Sequence, residues 1–212
     1  MGMTNQAAAR PQRWVVGITG ASGSIYAVRL IEELLRAEAE VHLVVTEAGW
    51  RVLKEELDWQ TVRRQEALEE RFALPMKEKR LILHPNADIG ASIASGSYLT
   101  DGMVIIPCSM GTLASIAHGI SDDLMSRAAD VMMKEGRKLL LVPRETPLHA
   151  VHLENMLKLA RLGVRIVPAM PAFYYRPETI GDMVDFLVGK VLDGMGIGHE
   201  LYRRWGDEPN GA

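Results

Sequence analysis

The chain has 212 residues, of which 48% are apolar and 24% are charged, and its formal net charge is −3. A chain of this length and apolar content can bury an ordinary core, and its size favours one domain over two. It has no long basic or acidic block and no run of ~18 apolar residues, which argues against a nucleic-acid partner and against a membrane span. The single cysteine, Cys108, excludes an intramolecular disulfide and indicates a cytoplasmic protein.

The two ends of the chain are predicted to lie outside the folded domain. Residues 1–13 are polar and Ala-rich and lack the long apolar stretch of a secretory signal, which predicts a flexible leader. The domain is expected to span residues 14–205, and residues 206–212 are expected to form a short tail.

The first half of the chain predicts a strand–helix–strand unit. Residues 14–19 are a short, nearly continuous apolar run that leads into the Gly-rich residues 20–23, and a helical pattern with an apolar face follows from Ser24. Residues 41–46 form a second apolar run, and a helical stretch then reaches about Asp58. This order of elements predicts a parallel sheet.

Further apolar runs in the second half predict the remaining strands, at residues 81–83, 103–107, 139–142 and 164–168. Residues 60–79 are charged and weakly periodic, and the sequence does not assign them an element. The expected fold is therefore α/β: a single doubly wound, Rossmann/flavodoxin-like domain with a mainly parallel sheet.

Helices are expected to alternate with these strands. One begins near Thr112, another covers residues 127–135, and the last long helix runs from Thr179 or Gly181 to Asp193. The pair Thr146–Pro147 predicts a helix start, with Thr as N-cap and Pro as the first helical residue, for a helix that reaches Leu162.

Small and polar residues follow several predicted strands, where an open α/β sheet binds its ligands. These residues are 20–23, Thr46, 107–112 and 143–146. Small residues let backbone N–H groups approach an anion, and helix N-termini add the positive end of a dipole, so this arrangement fits a phosphate-bearing ligand. The G-x-G-x-x-G and P-loop motifs are absent, which disfavours a dinucleotide or P-loop site.

Seven segments carry a family resemblance: GITGASG at residues 17–23, ASGS at 94–97, PCSMGT at 107–112, RAADV at 127–131, KE at 134–135, VPRETPLH at 142–149 and PAFYYRP at 171–177. In this order the chain resembles the flavin prenyltransferases (UbiX-like), within the wider group of flavin-binding cysteine decarboxylases, from about Trp14 to Trp205. The resemblance implies transfer of a dimethylallyl group from dimethylallyl phosphate to reduced FMN, with a new ring between N5 and C6. The product, prenylated FMN, would be the cofactor of a partner UbiD-like decarboxylase. A homo-oligomer, a dodecamer, is also implied.

Matching positions in the family motifs imply roles for individual residues. Those expected to contact FMN are Gly20, Ala21, Ser22, Thr46, Ser109, Met110, Gly111, Thr112 and Arg144. Those expected to hold the donor or cover its site are Tyr174, Lys190, Arg127, Lys134 and Trp205. Thr46 stands where many relatives have Ser, and Lys190 is Arg in some relatives; both changes keep the hydroxyl or the charge.

The chemistry of the implied reaction agrees with these roles. Breaking the C–O bond to phosphate develops negative charge, which several cations and a Tyr hydroxyl could stabilise without a metal. Bond formation at flavin C6 requires loss of a proton, for which Glu145 is the candidate base. Ser22 is a candidate proton relay at N5, and Glu56 matches an acidic residue near the reacting groups.

Other interpretations of these residues stay open. Glu145 could instead complement a helix dipole, and Tyr174 could serve packing or an interface. His149 and His152 have metal-pair spacing without a matching ligand set, and Cys108 is more typical of an inert buried thiol.

Rival functions can be distinguished by particular positions. Cysteine decarboxylases of the wider group typically have Asn at the position of Gly111 and a Pro-Ala-Met-Asn-like segment at residues 143–146. A flavodoxin-like FMN-binding module would need no Lys190–Tyr174 pair. Direct decarboxylation of an aromatic acid would have to explain a site built for an allylic phosphate.

Overall fold

The computed structural model describes residues 10–204. Six parallel strands form one sheet in the order β3-β2-β1-β4-β5-β6. The strands are β1 (Arg13–Ile18), β2 (Glu40–Val45), β3 (Leu81–Pro85), β4 (Gly102–Cys108), β5 (Lys138–Pro143) and β6 (Arg165–Ile166). The helices are α1 (Ser24–Arg36), α2 (Glu47–Leu57), α3 (Arg64–Lys77), α4 (Met110–Ala117), α5 (Leu124–Lys134), α6 (Ala150–Arg161) and α7 (Ile180–Met195). The predicted α/β fold is confirmed, and the sheet is parallel throughout.

The sheet is covered by helices on both faces, as its apolar strands require. One core cluster joins alternate strand residues to α1, α2, α3 and α7, and the other joins the opposite strand faces to α4, α5 and α6. The central strands β1 and β4 are buried along nearly their whole length. This double covering explains why their sequences are almost continuous apolar runs and not alternating ones.

The charged stretch that the sequence left unassigned contains a helix. Helix α3 spans Arg64–Lys77, bends at Phe72 and carries Pro75 inside its last turns. Only Ala67, Leu68 and Phe72 are buried on it. Such a short apolar face, interrupted by a proline, leaves little periodicity for a sequence to display.

The predicted helix start at Thr146–Pro147 is wrong. Helix α6 begins at Ala150, with His149 as its N-cap, and the Thr146–Pro147 peptide bond is cis. The Thr146 amide donates instead to the neighbouring Glu145 carboxylate at 2.9 Å. An N-cap preference is worth only about 1 kcal/mol, so the loop that follows β5 can override it.

The last strand is shorter than predicted. Only Arg165–Ile166 pairs as a strand with β5, although the amide of Val167 still donates to the Leu141 carbonyl at 2.8 Å. Pro168 has no N–H to continue the ladder, so regular pairing ends there. Within residues 10–204, no helix is long and apolar enough to cross a membrane.

Candidate functional site

Thr19 ties together the loops that follow the two central strands. Its hydroxyl donates to the Pro107 carbonyl at 2.7 Å and accepts from the Ser109 amide at 2.7 Å, and the residue is 1% exposed. Strands β1 and β4 are neighbours at the point where the chain reverses its direction across the sheet, which is where such folds bind ligands. Sequence reasoning missed this residue, although it lies inside the first family motif.

The start of α4 presents an open N-terminus. The Ser109 side chain accepts from the Thr112 amide at 3.3 Å, and the two hydroxyls lie 3.0 Å apart. Met110 is buried, whereas Gly111 is exposed and a Cβ built on it meets no atom within 4 Å. This predicted FMN-binding stretch therefore combines a helix N-terminus and two hydroxyls with free space beside Gly111, as an anion site requires.

The loop after β1 requires glycine for close packing. A Cβ on Gly20 would lie 2.5 Å from the Cβ of Ala48, so a larger residue would push α2 away from the loop. Ala21 is buried, and Gly20 and Ser22 are exposed. All three predicted FMN contacts thus lie at the carboxyl edge of the sheet.

Ser22 and Glu56, both predicted to be catalytic, lie together at the N-terminus of α1. The Glu56 carboxylate accepts from the Gly23 and Ser24 amides at 2.8–3.1 Å, from the Ser24 hydroxyl at 2.7 Å, and from the Ser22 side chain. Partial burial opposes ionisation of Glu56, but these hydrogen bonds outweigh it and hold its pKa below the usual value. The chain's own carboxylate therefore satisfies this helix end, leaving the start of α4 for a ligand anion.

Thr46 has a local role that the sequence did not predict. Its hydroxyl accepts from the Gly49 amide at 3.0 Å and so caps α2. The hydroxyl also lies 3.5 Å from the Ile18 carbonyl, to which the Thr46 amide donates at 3.0 Å. Its contact with FMN stays a prediction.

Arg144 and Glu145 follow β5 and line one cavity of about 270 Å³. The Arg144 amide donates to the Cys108 carbonyl at 3.4 Å, and its buried Nε has no hydrogen-bond partner within the described part of the chain. Glu145 is exposed. The other lining residues are Pro143, Thr146, Leu148, Met156, Pro168, Ala169 and Met170. A guanidinium group and a carboxylate thus share a cleft with mainly apolar walls.

The structure excludes one interpretation of Glu145. Because α6 begins at Ala150, Glu145 lies outside the first turn of that helix, so the helix-dipole interpretation is wrong. Glu145 follows the carboxyl end of β5, and its role as a base stays a prediction.

The two predicted cations of α5 both pair with neighbouring carboxylates. Arg127 pairs with Asp130 at 3.0 Å and donates to the Ala94 carbonyl at 3.2 Å. Lys134 is the last residue of α5 and pairs with Glu135 at 2.7 Å. Because β5 begins only four residues later, Lys134 lies at the amino edge of the sheet, opposite the ligand loops. One copy of the chain does not bring Lys134 to the predicted FMN residues.

Tyr174 and Lys190 lie together in what we call the α7 cluster: Tyr174, Tyr175, Phe186, Lys190 and Tyr202. The Lys190 Nζ lies 5.5 Å from the centre of the Phe186 ring and 5.1 Å from that of Tyr202. The Tyr174 ring meets Phe186 edge-on, with centres 5.9 Å apart. The predicted donor-binding pair is thus brought together in an aromatic setting, whereas Trp205 lies outside the described residues.

Two other predictions concern reactive side chains. Cys108 is fully buried, and burial raises the pKa of its thiol to about 12, which suits an inert thiol. The His149 and His152 rings stack with centres 3.5 Å apart. No group of three His, Cys, Asp or Glu side chains within residues 10–204 could hold a metal ion.

Comparisons with known proteins show the family to which the chain belongs. The Flavoprotein family profile matches residues 3–192. A flavin prenyltransferase UbiX of Alkalihalophilus pseudofirmus is 59% identical over 193 residues, covering 91% of this chain and 95% of that protein. A UbiX of Halalkalibacterium halodurans is 56% identical, covering 92% and 94%.

Solved structures agree with these relatives. The crystal structure of AnUbiX in complex with FMN and dimethylallyl pyrophosphate superposes with a TM-score of 0.85 at 38% identity, covering 94% of this chain and all of that one. A dodecameric FMN-dependent UbiX-like decarboxylase from Escherichia coli O157:H7 has a TM-score of 0.82 at 45% identity, covering 92% and 99%. With this identity over most of its length, the chain belongs to the flavin prenyltransferase family.

Proposed function

We propose that this chain transfers a dimethylallyl group from dimethylallyl phosphate to reduced FMN and releases prenylated FMN and inorganic phosphate. Reduced FMN would supply the two atoms, N5 and C6, to which the C5 unit attaches. The bond to N5 would replace the C–O bond to phosphate, with loss of the N5 proton. The bond to C6 would replace the alkene double bond of the C5 unit, which takes up one proton while C6 loses one. One observation carries the proposal: Arg144 and Glu145 lie side by side at the carboxyl edge of the sheet. The buried Arg144 Nε lacks a hydrogen-bond partner among residues 10–204, and the Glu145 carboxylate is exposed.

The residues present fit FMN. The phosphate of FMN would bind at the N-terminus of α4, where Ser109 and Thr112 supply hydroxyls and Gly111 leaves free space. Arg144 lies beside this helix end, and its unpartnered Nε–H would donate a hydrogen bond to the flavin. Gly20, Ala21 and Ser22 would approach the ring from the loop after β1, and Thr19 would hold the two loops in register.

Glu145 would act as the base that removes the C6 proton. It is exposed beside Arg144, on a loop held to β4 through the Arg144 amide, so its carboxylate can reach a bound ligand. Ser22 would exchange a proton at N5 and pass it to Glu56, which lies within hydrogen-bonding distance and is ionised because its pKa is lowered. Lys190 and Tyr174 would stabilise the charge on the departing phosphate.

A complete site requires more than one copy of the chain. Lys134 lies at the opposite edge of the sheet from Arg144, and the apolar side chains of Leu148 and Met170, which line the cleft, are exposed. We infer a homo-oligomer, a dodecamer as for the Escherichia coli relative, in which α5 of one copy meets the ligand loops of another.

Mixing Lys134→Ala and Glu145→Gln chains under conditions of subunit exchange should then restore activity that neither variant has alone. Strict additivity of the two residual activities would contradict a shared site.

The decisive test of the reaction is mass spectrometry of the flavin. The protein is incubated without oxygen with reduced FMN and dimethylallyl phosphate, and the expected flavin product carries one additional C5H8 unit. Omission of the donor is the control. FMN that is bound but keeps its mass would favour a flavodoxin-like module, and release of CO2 from a cysteine-terminated peptide would favour a cysteine decarboxylase.

The product would serve a UbiD-like decarboxylase. Adding the reaction mixture to an apo decarboxylase of that kind should produce decarboxylase activity, and a mixture made without donor should not.

We place the protein in the cytoplasm because its one cysteine forms no intramolecular disulfide. A yeast relative of 45% identity is named as mitochondrial, so fractionation of the native cells is the test.

A further inference from the structure

The ammonium group of Lys190 is held in place by its neighbours. Its Nζ lies near the faces of Phe186 and Tyr202, whose ring centres are themselves 5.0 Å apart. It also makes a hydrogen bond to the Tyr202 side chain, and Lys190 nevertheless remains exposed. A lysine has a long flexible stem, so these contacts restrict where its charge can lie.

Tyr202 is held in turn by Asp193. Its hydroxyl donates to Asp193 Oδ2 at 2.7 Å. The three side chains thus form one chain of hydrogen bonds, in which Lys190 donates to Tyr202 and Tyr202 donates to a carboxylate. A hydroxyl that donates to a carboxylate becomes a stronger acceptor, so Asp193 strengthens the hold on Lys190.

Asp193 also anchors the C-terminal segment, residues 197–204. In addition to the bond from Tyr202, its carboxylate accepts a hydrogen bond from the Arg204 guanidinium at 2.7 Å and lies 3.2 Å from the His199 Nε2. Burial opposes its ionisation, but the bonds from Arg204 and Tyr202 prevail and lower the pKa of Asp193 to about 2. The carboxylate is therefore charged at neutral pH.

Gly189 permits this docking. A Cβ at this position would lie 2.5 Å from the Tyr202 ring and 2.7 Å from the His199 ring. Any larger residue would displace the C-terminal segment from α7. Gly189 and Asp193 on α7 thus fix the place of Tyr202.

We propose that Tyr202 is a positioning residue for the prenyl donor and that Asp193 positions Tyr202. Together they aim the Lys190 ammonium, whose remaining N–H groups bind the phosphate of dimethylallyl phosphate. This inference rests on the function proposed above. Neither residue belongs to the set that the sequence predicted.

The first test removes only the hydroxyl of Tyr202. Tyr202→Phe keeps the ring beside Lys190 but loses both hydrogen bonds, so KM for dimethylallyl phosphate should rise roughly fivefold, with kcat and the Kd of FMN within twofold of wild type. Tyr98→Phe is the matched control, because its hydroxyl also donates to a carboxylate, Glu40 at 3.1 Å, away from α7. An unchanged KM in Tyr202→Phe would overturn the proposal.

The second test removes the charge of the anchor. Asp193→Asn should raise the same KM by roughly tenfold, since the C-terminal segment loses Arg204 as well as Tyr202. Asp185→Asn is its control on the same helix, where the carboxylate pairs with Arg29 at 2.6 Å. The double variant Tyr202→Phe/Asp193→Asn should resemble Asp193→Asn alone, because both changes break the same chain of hydrogen bonds. Full multiplication of the two effects would show that Asp193 does not act through Tyr202.

A binding measurement separates this inference from the proposed reaction. Inorganic phosphate is titrated calorimetrically into the FMN-loaded protein, and both variants should weaken its binding by the same factors as KM. If the wild type binds phosphate and yields no prenylated FMN, the proposed reaction fails while the variants still test the positioning of Lys190. Equal phosphate affinity in wild type and both variants would overturn the positioning role.

Discussion

The loops that surround Arg144 and the α7 cluster offer hydrogen-bond donors and positive charge by different means. In the loops, backbone amides, small residues and one buried hydroxyl, Thr19, create the site, and hydrogen bonds between neighbouring strands hold it. In the α7 cluster, a long exposed lysine carries the charge and depends on Tyr202 and Asp193 for its place. The first arrangement is rigid because the sheet itself fixes it. The second is adjustable because only side chains fix it.

This difference suits two ligands with different tasks. A flavin must be held with its reacting edge in one orientation, which favours backbone contacts on a rigid sheet. A donor phosphate changes its charge and leaves during the reaction, which favours an exposed cation that is positioned by other side chains. Variants of the two regions should therefore fail in different ways.

The largest effect is expected for Glu145→Gln in the loop after β5. The amide keeps the shape of the side chain but cannot accept the C6 proton, so the rate of product formation should fall by about 10²–10⁴-fold. The Kd of FMN should stay near the wild-type value, as measured by fluorescence quenching. Glu154→Gln, an exposed position on α6, is the control. Normal turnover of Glu145→Gln would show that the base lies elsewhere.

Lys190→Ala should produce a loss confined to the donor. Removal of a charge-assisted contact should raise KM for dimethylallyl phosphate by roughly 10- to 100-fold, with FMN binding unchanged. Lys158→Ala on the exposed side of α6 provides a matched loss of charge. If FMN binding weakens in parallel with donor use, the two regions are not independent and the comparison fails.

Thr19→Val should affect both stability and the flavin. The substitution keeps the shape of the side chain but leaves the Ser109 amide without its partner, which should cost about 1–3 kcal/mol of unfolding free energy. The Kd of FMN should rise, while KM for the donor stays nearly constant in flavin-saturated enzyme. Thr19→Ser restores the hydroxyl and should recover FMN affinity. A variant that is less stable but binds FMN normally would reduce Thr19 to a purely structural role.

Acid should weaken the docking of the C-terminal segment. The pKa of Asp193 is lowered from 3.8 to about 2, so the folded state binds its proton less readily than the unfolded state does. Its stabilisation, about 1–2 kcal/mol after allowance for solvent screening, is therefore complete above pH ~5 and declines as the pH falls from about 4 towards 2. Denaturant unfolding of wild type and Asp193→Asn at pH 6 and pH 3 measures it. A difference in unfolding free energy between wild type and variant that is equal at both pH values would contradict this assignment.

The smallest effect is expected from removal of divalent cations. Arg144, Lys190 and Tyr174 offer charge and hydrogen bonds for the phosphate, and the described residues contain no cluster of three metal-ligating side chains. Product formation should therefore continue at its normal rate in excess chelator. A complete loss that Mg²⁺ restores would mean that the α7 cluster does not neutralise the donor by itself.

The sequence alone determined the doubly wound fold and the loops after β1, β4 and β5. Residues 14–19, 103–107 and 139–142 are apolar because both of their faces are covered, and this pattern can be seen without a structure. Topology then places the residues after these strands at one edge, which brings Ser22, Ser109 and Arg144 to the same side of the sheet.

Only the tertiary structure decided the remaining features, because they depend on contacts between residues distant in the chain. The Thr19 hydroxyl bonds residues 88 and 90 positions away, and no local pattern marks it. The start of α6 at Ala150 follows from the loop after β5, against a local N-cap preference worth about 1 kcal/mol. Tyr202 reaches Lys190 because Gly189 lets the C-terminal segment pack on α7 and Asp193 retains it there. Local propensities are weak and act over a few residues, whereas such contacts are selected by the packing of the whole domain.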